Sequence, residues 1–218
     1  LKISRKYKHM SVLKNLPNAV TRIHKEIFPV MGYGSVVVDK HQEKYLDLTS
    51  GIGALSTGHS HPKVIESVNQ QTQLYVHMAQ QIFGSHPIQE TLTEKILDTV
   101  KSKKLNNIFY TNSGSEATEN AIKIATKYTK KSNIVCLKSG FHGRTIGALS
   151  VTSSNNTCRN GVRPLLSNVY FCGKETKDEI DEFFSTQCSP DDTAAVILES
   201  VQGEGGIYSL NKYIFKWQ

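Results

Sequence analysis

Apolar residues recur along this chain in two different rhythms. From Pro62 onward, Val64, Ile65, Val68, Leu74 and Tyr75 follow a helical period, and from Pro87 onward Ile88, Leu92, Ile96, Leu97 and Val100 form a second stripe of the same kind. Each stretch opens with proline, which suits a first helical turn because its missing N–H is one that a helix start leaves unbonded anyway. Upstream, Val36–Asp39 and residues 44–48 flank the polar KHQE and predict a β-hairpin. A long glycine- and serine-rich connection follows over 48–62, and long structured loops of this kind are often functional.

After Lys104 the rhythm shortens. Residues 107–112, 133–138, 168–172 and 193–200 are compact apolar runs that predict strands, and 116–129 and 174–184 predict helices between them. Near-continuous apolar strands alternating with helices imply a mostly parallel sheet covered on both faces, the α/β class.

Composition narrows the picture. With 218 residues, 38% hydrophobic and 21% charged, the chain suits one large domain or two small ones. No apolar run approaches the roughly 20 residues that span a bilayer. The net charge of +7 is spread along the chain, so small anionic substrates explain it as well as weak attraction to polyanions does, and no nucleic-acid or membrane partner is expected. Cys136, Cys158, Cys172 and Cys188 lack C-x-x-C spacing and read as reduced thiols of an intracellular compartment. Residues 1–25 carry no acid while basic residues recur, the bias of a mitochondrial-type transit segment; a plain basic arm on a cytoplasmic protein is the alternative.

Three stretches carry candidate chemistry. In the first, Ser113, Gly114 and Ser115 follow an apolar run and open a helical pattern, with Ser113 and Glu116 at capping-box spacing. A helix start presents unpaired N–H groups and partial positive charge, Gly114 lets a ligand come close, and the hydroxyls add donors, so a phosphate is the natural guest. A helix cap without a ligand is the alternative, and neither nucleotide-binding glycine fingerprint is present. The second stretch, 139–150, offers Phe141 to stack on a flat ring, His142, and Arg144 to grip a carboxylate; separately they read as a core aromatic and a surface ion pair. In the third, Glu199 ends an apolar strand and Glu204 follows in a glycine-rich loop, a pair able to hold a cation, orient a substrate or mask an arginine. His59 and His61 form an ordinary loop H-x-H, and no metal is expected.

In combination, GIGALSTGHSHP, TNSGSEATENAIKIA, FHGRTIGALS and ESVQGEGG, in this order, resemble the class III aminotransferases, pyridoxal-phosphate enzymes of fold type I. The likeness covers about residues 33–206 and is closest to 4-aminobutyrate aminotransferases and their ornithine and acetylornithine relatives. It implies pyridoxal 5'-phosphate as cofactor, with Ser113, Gly114 and Ser115 around its phosphate, Phe141 on its ring, and His142 and Glu199 beside it. It further implies Arg144 on a substrate carboxylate, Glu204 masking an arginine between half-reactions, and Ile52 and Gln81 lining the substrate pocket. Ser200 stands where the family usually has proline.

The implied reaction moves an amino group from an ω-amino acid, 4-aminobutyrate first, to 2-oxoglutarate, with ornithine or acetylornithine as alternative donors and a homodimer as the working form. The implied organisation is an N-terminal segment, 1–60, belonging to a small domain and interface, and an incomplete cofactor-binding large domain, 61–218. The family's cofactor-bonding lysine and ring-pairing aspartate are expected beyond Gln218. The chain therefore reads as truncated and inactive alone, or as a short non-catalytic module that keeps the phosphate cup or a dimer surface.

Overall fold

The hairpin foreseen around KHQE is part of a larger antiparallel sheet. A computed structural model of the chain describes residues 26–173 and 176–210, so the basic arm 1–25 and the first two residues of the charged helix predicted over 174–184 lie outside the described residues. The chain divides into two units between Leu92 and Thr93.

In the first unit β1 (Pro29–Tyr33), β2 (Val36–Asp39) and β3 (Lys44–Leu46) form a sheet in that order. The β2–β3 turn closes on Asp39, whose Oδ1 accepts from His41 N–H (2.8 Å) and Glu43 N–H (2.9 Å). β3 stops before Asp47 because that carboxylate gathers the next turn. Its Oδ1 accepts from Thr49 N–H (2.8 Å), Thr49 Oγ1 (2.6 Å) and Ser50 N–H (3.1 Å), and its Oδ2 meets His59 Nε2 at 2.7 Å. His59 is itself bridged to Gly34 through paired backbone bonds of 3.0 and 2.8 Å.

The turn that Asp47 gathers runs into α1 (Ser50–Gly53), where Ser50, Gly51, Ile52 and Gly53 all have positive φ, between 49° and 77°. Left-handed backbone is ordinary for glycine and costly for a β-branched residue such as Ile52. Then come α2 (Pro62–Leu74), α3 (Gln80–Phe83) and α4 (Pro87–Thr99), the last crossing the division between the units. Both long helices start at the prolines as the pattern predicts, yet no residue of α2 or α4 is buried.

The second unit is built around β4 (Asn133–Leu137), which pairs in parallel with β5 (Val169–Cys172) on one edge and β6 (Thr193–Ile197) on the other. Alternate side chains of β4 enter two cores. Val135 and Leu137 pack with Cys172, Ile180, Phe183 and Cys188, while Ile134 and Cys136 pack with Ile122 and Val151. Both faces are thus covered, the first by α8 (Lys177–Thr186) and the second by α5 (Gly114–Thr129), which is why the strand is apolar throughout. Between β4 and β5 lie α6 (Ile146–Ser150) and α7 (Asn156–Arg159), and β7 (Val201–Gln202) with β8 (Tyr208–Ser209) forms a small hairpin after β6.

One sequence expectation fails. Residues 107–112 form no strand, and Phe109 is 70% exposed. The run pairs with neither edge strand of the β5-β4-β6 sheet among the described residues, and its last N–H, that of Asn112, is taken by the Glu116 side chain.

Asp47 yields a testable consequence. The Thr49 hydroxyl, then His59, then the backbone donors hold its carboxyl down at about 2, against an ordinary 3.8. Its contribution to stability is therefore full above pH 3.8 and lost as pH falls through about 2. A carbon-13 titration of the Asp47 carboxyl should find its midpoint near that lower value; a midpoint at 3.8 would refute the network.

Candidate functional site

The carboxyl ends of β4 and β6 aim two loops at one region of the second unit, the place where open parallel sheets build ligand sites. β4 ends at Leu137 and leads to Phe141, His142 and Arg144; β6 ends at Ile197 and leads to Glu199 and Glu204. The two loops are clamped together. Gln202 is buried and donates through Nε2 to Lys138 O at 2.8 Å, and a Cβ on Gly205 would stand only 2.9 Å from Ser139 O.

The start of α5 meets the first of these loops. Ser113 caps the helix, its Oγ accepting from Glu116 N–H at 3.2 Å. The reciprocal bond of the foreseen capping box is displaced by one residue: Glu116 Oε2 accepts from Asn112 N–H at 2.6 Å. Gly114 faces open space, with no atom within 4 Å of where a Cβ would sit. Ser115 Oγ accepts from Arg144 N–H at 3.3 Å, and Thr118 Oγ1 donates to His142 O at 2.9 Å. Thr152, fully buried, accepts from His142 N–H at 2.9 Å and directs its own hydroxyl at Gly143 O and Ala148 O.

Gly143 makes this approach possible. Its φ is +127°, and a Cβ there would strike Ser115 Oγ and come within 2.9 Å of Ala148 Cβ.

Two groups, His142 and Glu199, lean toward neutrality. Burial holds the His142 imidazole below its ordinary pKa, and its buried Nε2 has no hydrogen-bond partner among the described residues. Loss of solvent pushes the Glu199 carboxyl up; the Phe141 N–H that it accepts opposes this, and the nearby charge of Glu204 adds to it. Glu199 Oε2 is also buried without a partner. Glu204 Oε2 accepts from Ser154 Oγ at 2.6 Å. Arg144 is exposed, and no carboxylate among the described residues lies within ion-pair distance of its guanidinium.

The structure therefore brings together Ser113, Gly114, Ser115, Phe141, His142, Arg144, Glu199 and Glu204 at one end of one sheet. Ile52 and Gln81 belong to the first unit and are described with it: Ile52 is 97% exposed on the left-handed turn, and Gln81 lies on α3. No group of three or more metal-ligating side chains occurs among the described residues. A cleft of about 670 Å³ between α8 and β6, lined by Asp181, Phe184, Pro190 and Val196, contains none of the site residues.

Sequence reasoning missed Thr118, Glu119, Thr152, Ser154 and Gln202. The first two stand three and four residues beyond Ser115, so helical spacing alone could have placed them on its face. Thr152 left no local signal.

A profile described as aminotransferase class-III matches residues 18–216. The chain is 40% identical over 187 residues to a [LysW]-aminoadipate semialdehyde/glutamate semialdehyde transaminase of Sulfurisphaera tokodaii, covering 86% of this chain and 46% of the relative. It is 34% identical over 194 residues to a probable 4-aminobutyrate aminotransferase of Bacillus subtilis, covering 81% and 44%. A transaminase from the marine bacterium Virgibacillus superposes with a TM-score of 0.82 at 23% identity over 93% of this chain and 49% of that one, a likeness of fold. The chain spans about half the length of the curated relatives it matches.

The raised Glu199 pKa sets a direction for stability. A carboxyl whose folded pKa exceeds 4.5 favours the folded state most below that value, and the contribution is lost as pH rises through the folded pKa. Urea unfolding between pH 4.5 and pH 8 should show this decline in the parent chain and a shallower one in Glu199→Gln; equal slopes would count against the assignment.

Proposed function

The chain belongs to the class III aminotransferases, and from that premise we propose that its second unit holds pyridoxal phosphate for transfer of an amino group from an ω-amino acid, 4-aminobutyrate first, to 2-oxoglutarate. The observation that supports the reading is the direct bond between Ser115 Oγ and Arg144 N–H, which joins the start of α5 to the loop that carries Arg144.

The residues fit the cofactor. The start of the sixteen-residue α5 offers free N–H groups and two hydroxyls around open space at Gly114, a cradle for a phosphate. Phe141 is half-buried at the sheet end, where its ring can cover a pyridine face. When bound, pyridoxal phosphate supplies an electron sink for the carbon that carries the amino group.

The protein's own groups do the rest in this proposal. Ser113, Gly114 and Ser115 bind the phosphate, and Phe141 orients the ring. His142, kept neutral by burial, stands beside that ring without adding charge. Arg144 grips a substrate carboxylate through two parallel N–H donors. Glu199, whose carboxyl is pushed toward its protonated form by loss of solvent, holds a proton at Oε2 or accepts one there, and Glu204 waits on the β7–β8 hairpin for an arginine.

The lysine and aspartate that such chemistry needs are proposed to lie outside these residues, as is the rest of the substrate pocket around Ile52 and Gln81. Pairing of two copies belongs to the same proposal; the uncovered apolar stripes of α2 and α4 are compatible with it. So does a functional division at residue 60, separate from the spatial one at Leu92 and Thr93. The 40% identity to a semialdehyde transaminase favours a second reading, in which the carbonyl partner that exchanges with the ω-amine is an amino-acid semialdehyde.

The deciding experiment measures glutamate formed from 2-oxoglutarate by the whole protein, with 4-aminobutyrate and other ω-amino donors offered singly. Formation with 4-aminobutyrate supports the first reading, and no transfer from any donor sinks the proposal. Arg144→Ala should weaken donor binding by about 10- to 150-fold, the equivalent of about 1.5–3 kcal/mol for a lost hydrogen bond to a charged group. An unchanged donor KM would remove Arg144 from the site.

A further inference from the structure

Three side chains on one face of α5 reach into the loop that carries the aromatic ring and the arginine, and Glu119 makes the most bonds. Its Oε1 accepts from Thr145 Oγ1 (2.7 Å), Gly147 N–H (2.7 Å) and Ala148 N–H (3.3 Å). Thr145 is the N-cap residue of α6, yet its hydroxyl caps nothing there and is donated to Glu119 instead. The acceptor that a helix start ordinarily finds in its own N-cap thus comes from a different helix. Gly147 is buried and bare, because a Cβ there would run into the Glu119 carboxylate.

We infer that Glu119 is a positioning residue: by capping α6 from α5 it fixes the Phe141–Arg144 segment over the Ser113–Ser115 turn. It thereby governs how a cofactor ring is stacked rather than how its phosphate is gripped. The inference rests on the function proposed above.

The separation of roles follows from the bonds. The phosphate cup is held together by Ser113, Glu116 and Asn112, all upstream of Glu119 on the same helix start. The segment 141–148 has a different anchorage: Ser115 and Thr118 hold Arg144 and His142, Thr152 holds His142, Gly143 and the Ala148 carbonyl, and the donors of its far end, 145–148, hang on Glu119. Removing the carboxylate frees that far end and leaves the cup intact. All three donors converge on one oxygen, so a glutamine that places its carbonyl oxygen there keeps the bonds.

The test compares the whole protein with its Glu119→Ala and Glu119→Gln variants, using inorganic phosphate and pyridoxal phosphate as separate probes. Glu119→Ala should bind phosphate within about twofold of the parent and pyridoxal phosphate at least about tenfold more weakly, losing the circular-dichroism band of the bound ring. Without any ligand, hydrogen exchange at Gly147 and Ala148 should accelerate at least about tenfold while α5 keeps its protection. Glu119→Gln should restore both properties to within about threefold.

Parent-like pyridoxal phosphate binding and dichroism in Glu119→Ala would overturn the inference. So would equal losses for both probes, since the carboxylate would then be supporting the cup. Should the parent bind neither probe, the cup itself fails as a reading, and hydrogen exchange decides the role of Glu119 alone: lost protection supports it and retained protection overturns it. Thr145→Val, which removes one donor and leaves the carboxylate, serves if Glu119→Ala does not fold; it should accelerate exchange at 145–148, and unchanged exchange there counts against the inference.

Discussion

The pairing of β4 with β5 on one edge and β6 on the other decides where every loop of the second unit begins. Parallel strands must return through crossovers, so their carboxyl ends lie on one side and their outgoing loops share it. β4 is sealed on both edges and both faces, and its register with the neighbours is fixed by which residues enter which core. The Phe141–Arg144 loop and the Glu199–Glu204 loop are therefore brought together by backbone geometry before any side chain acts. Gln202 and Gly205 then hold them in place.

Electrostatics at this sheet end follow from the same burial. His142 is displaced toward its neutral form and Glu199 toward its protonated one, and no carboxylate among the described residues lies within ion-pair distance of the Arg144 guanidinium. An anion entering from solvent meets the start of α5 and Arg144, both attractive to it. Glu204 is the nearby acid that stays in contact with a hydroxyl, Ser154, on the rim.

Much of this was legible in the sequence because it depends on short-range patterns. Apolar runs found β4, β5 and β6, prolines found the starts of α2 and α4, and S-x-x-E found the start of α5. The failures have physical causes. The run 107–112 has strand composition, but composition cannot say whether a neighbour is present. β1 was missed because PVMGY carries no alternation strong enough to stand apart, and it forms by pairing with β2. The polar ties from Glu119, Thr152 and Gln202 depend on contacts 9 to 64 residues apart, which no local window contains. Of the candidate site, Ser113–Ser115, Phe141–Arg144, Glu199 and Glu204 were readable as motifs, and the residues that hold those motifs in place were not.

The left-handed turn at Ser50–Gly53 has a bearing on protein engineering. Ile52 buries almost none of its side chain and holds a backbone conformation that glycine or asparagine would adopt with less strain. A selection for heat resistance alone would be drawn to this position, since relieving such strain is among the simplest ways to gain stability. A library screened for survival on heating could therefore discard this isoleucine early, together with whatever its exposed side chain touches when the protein is at work.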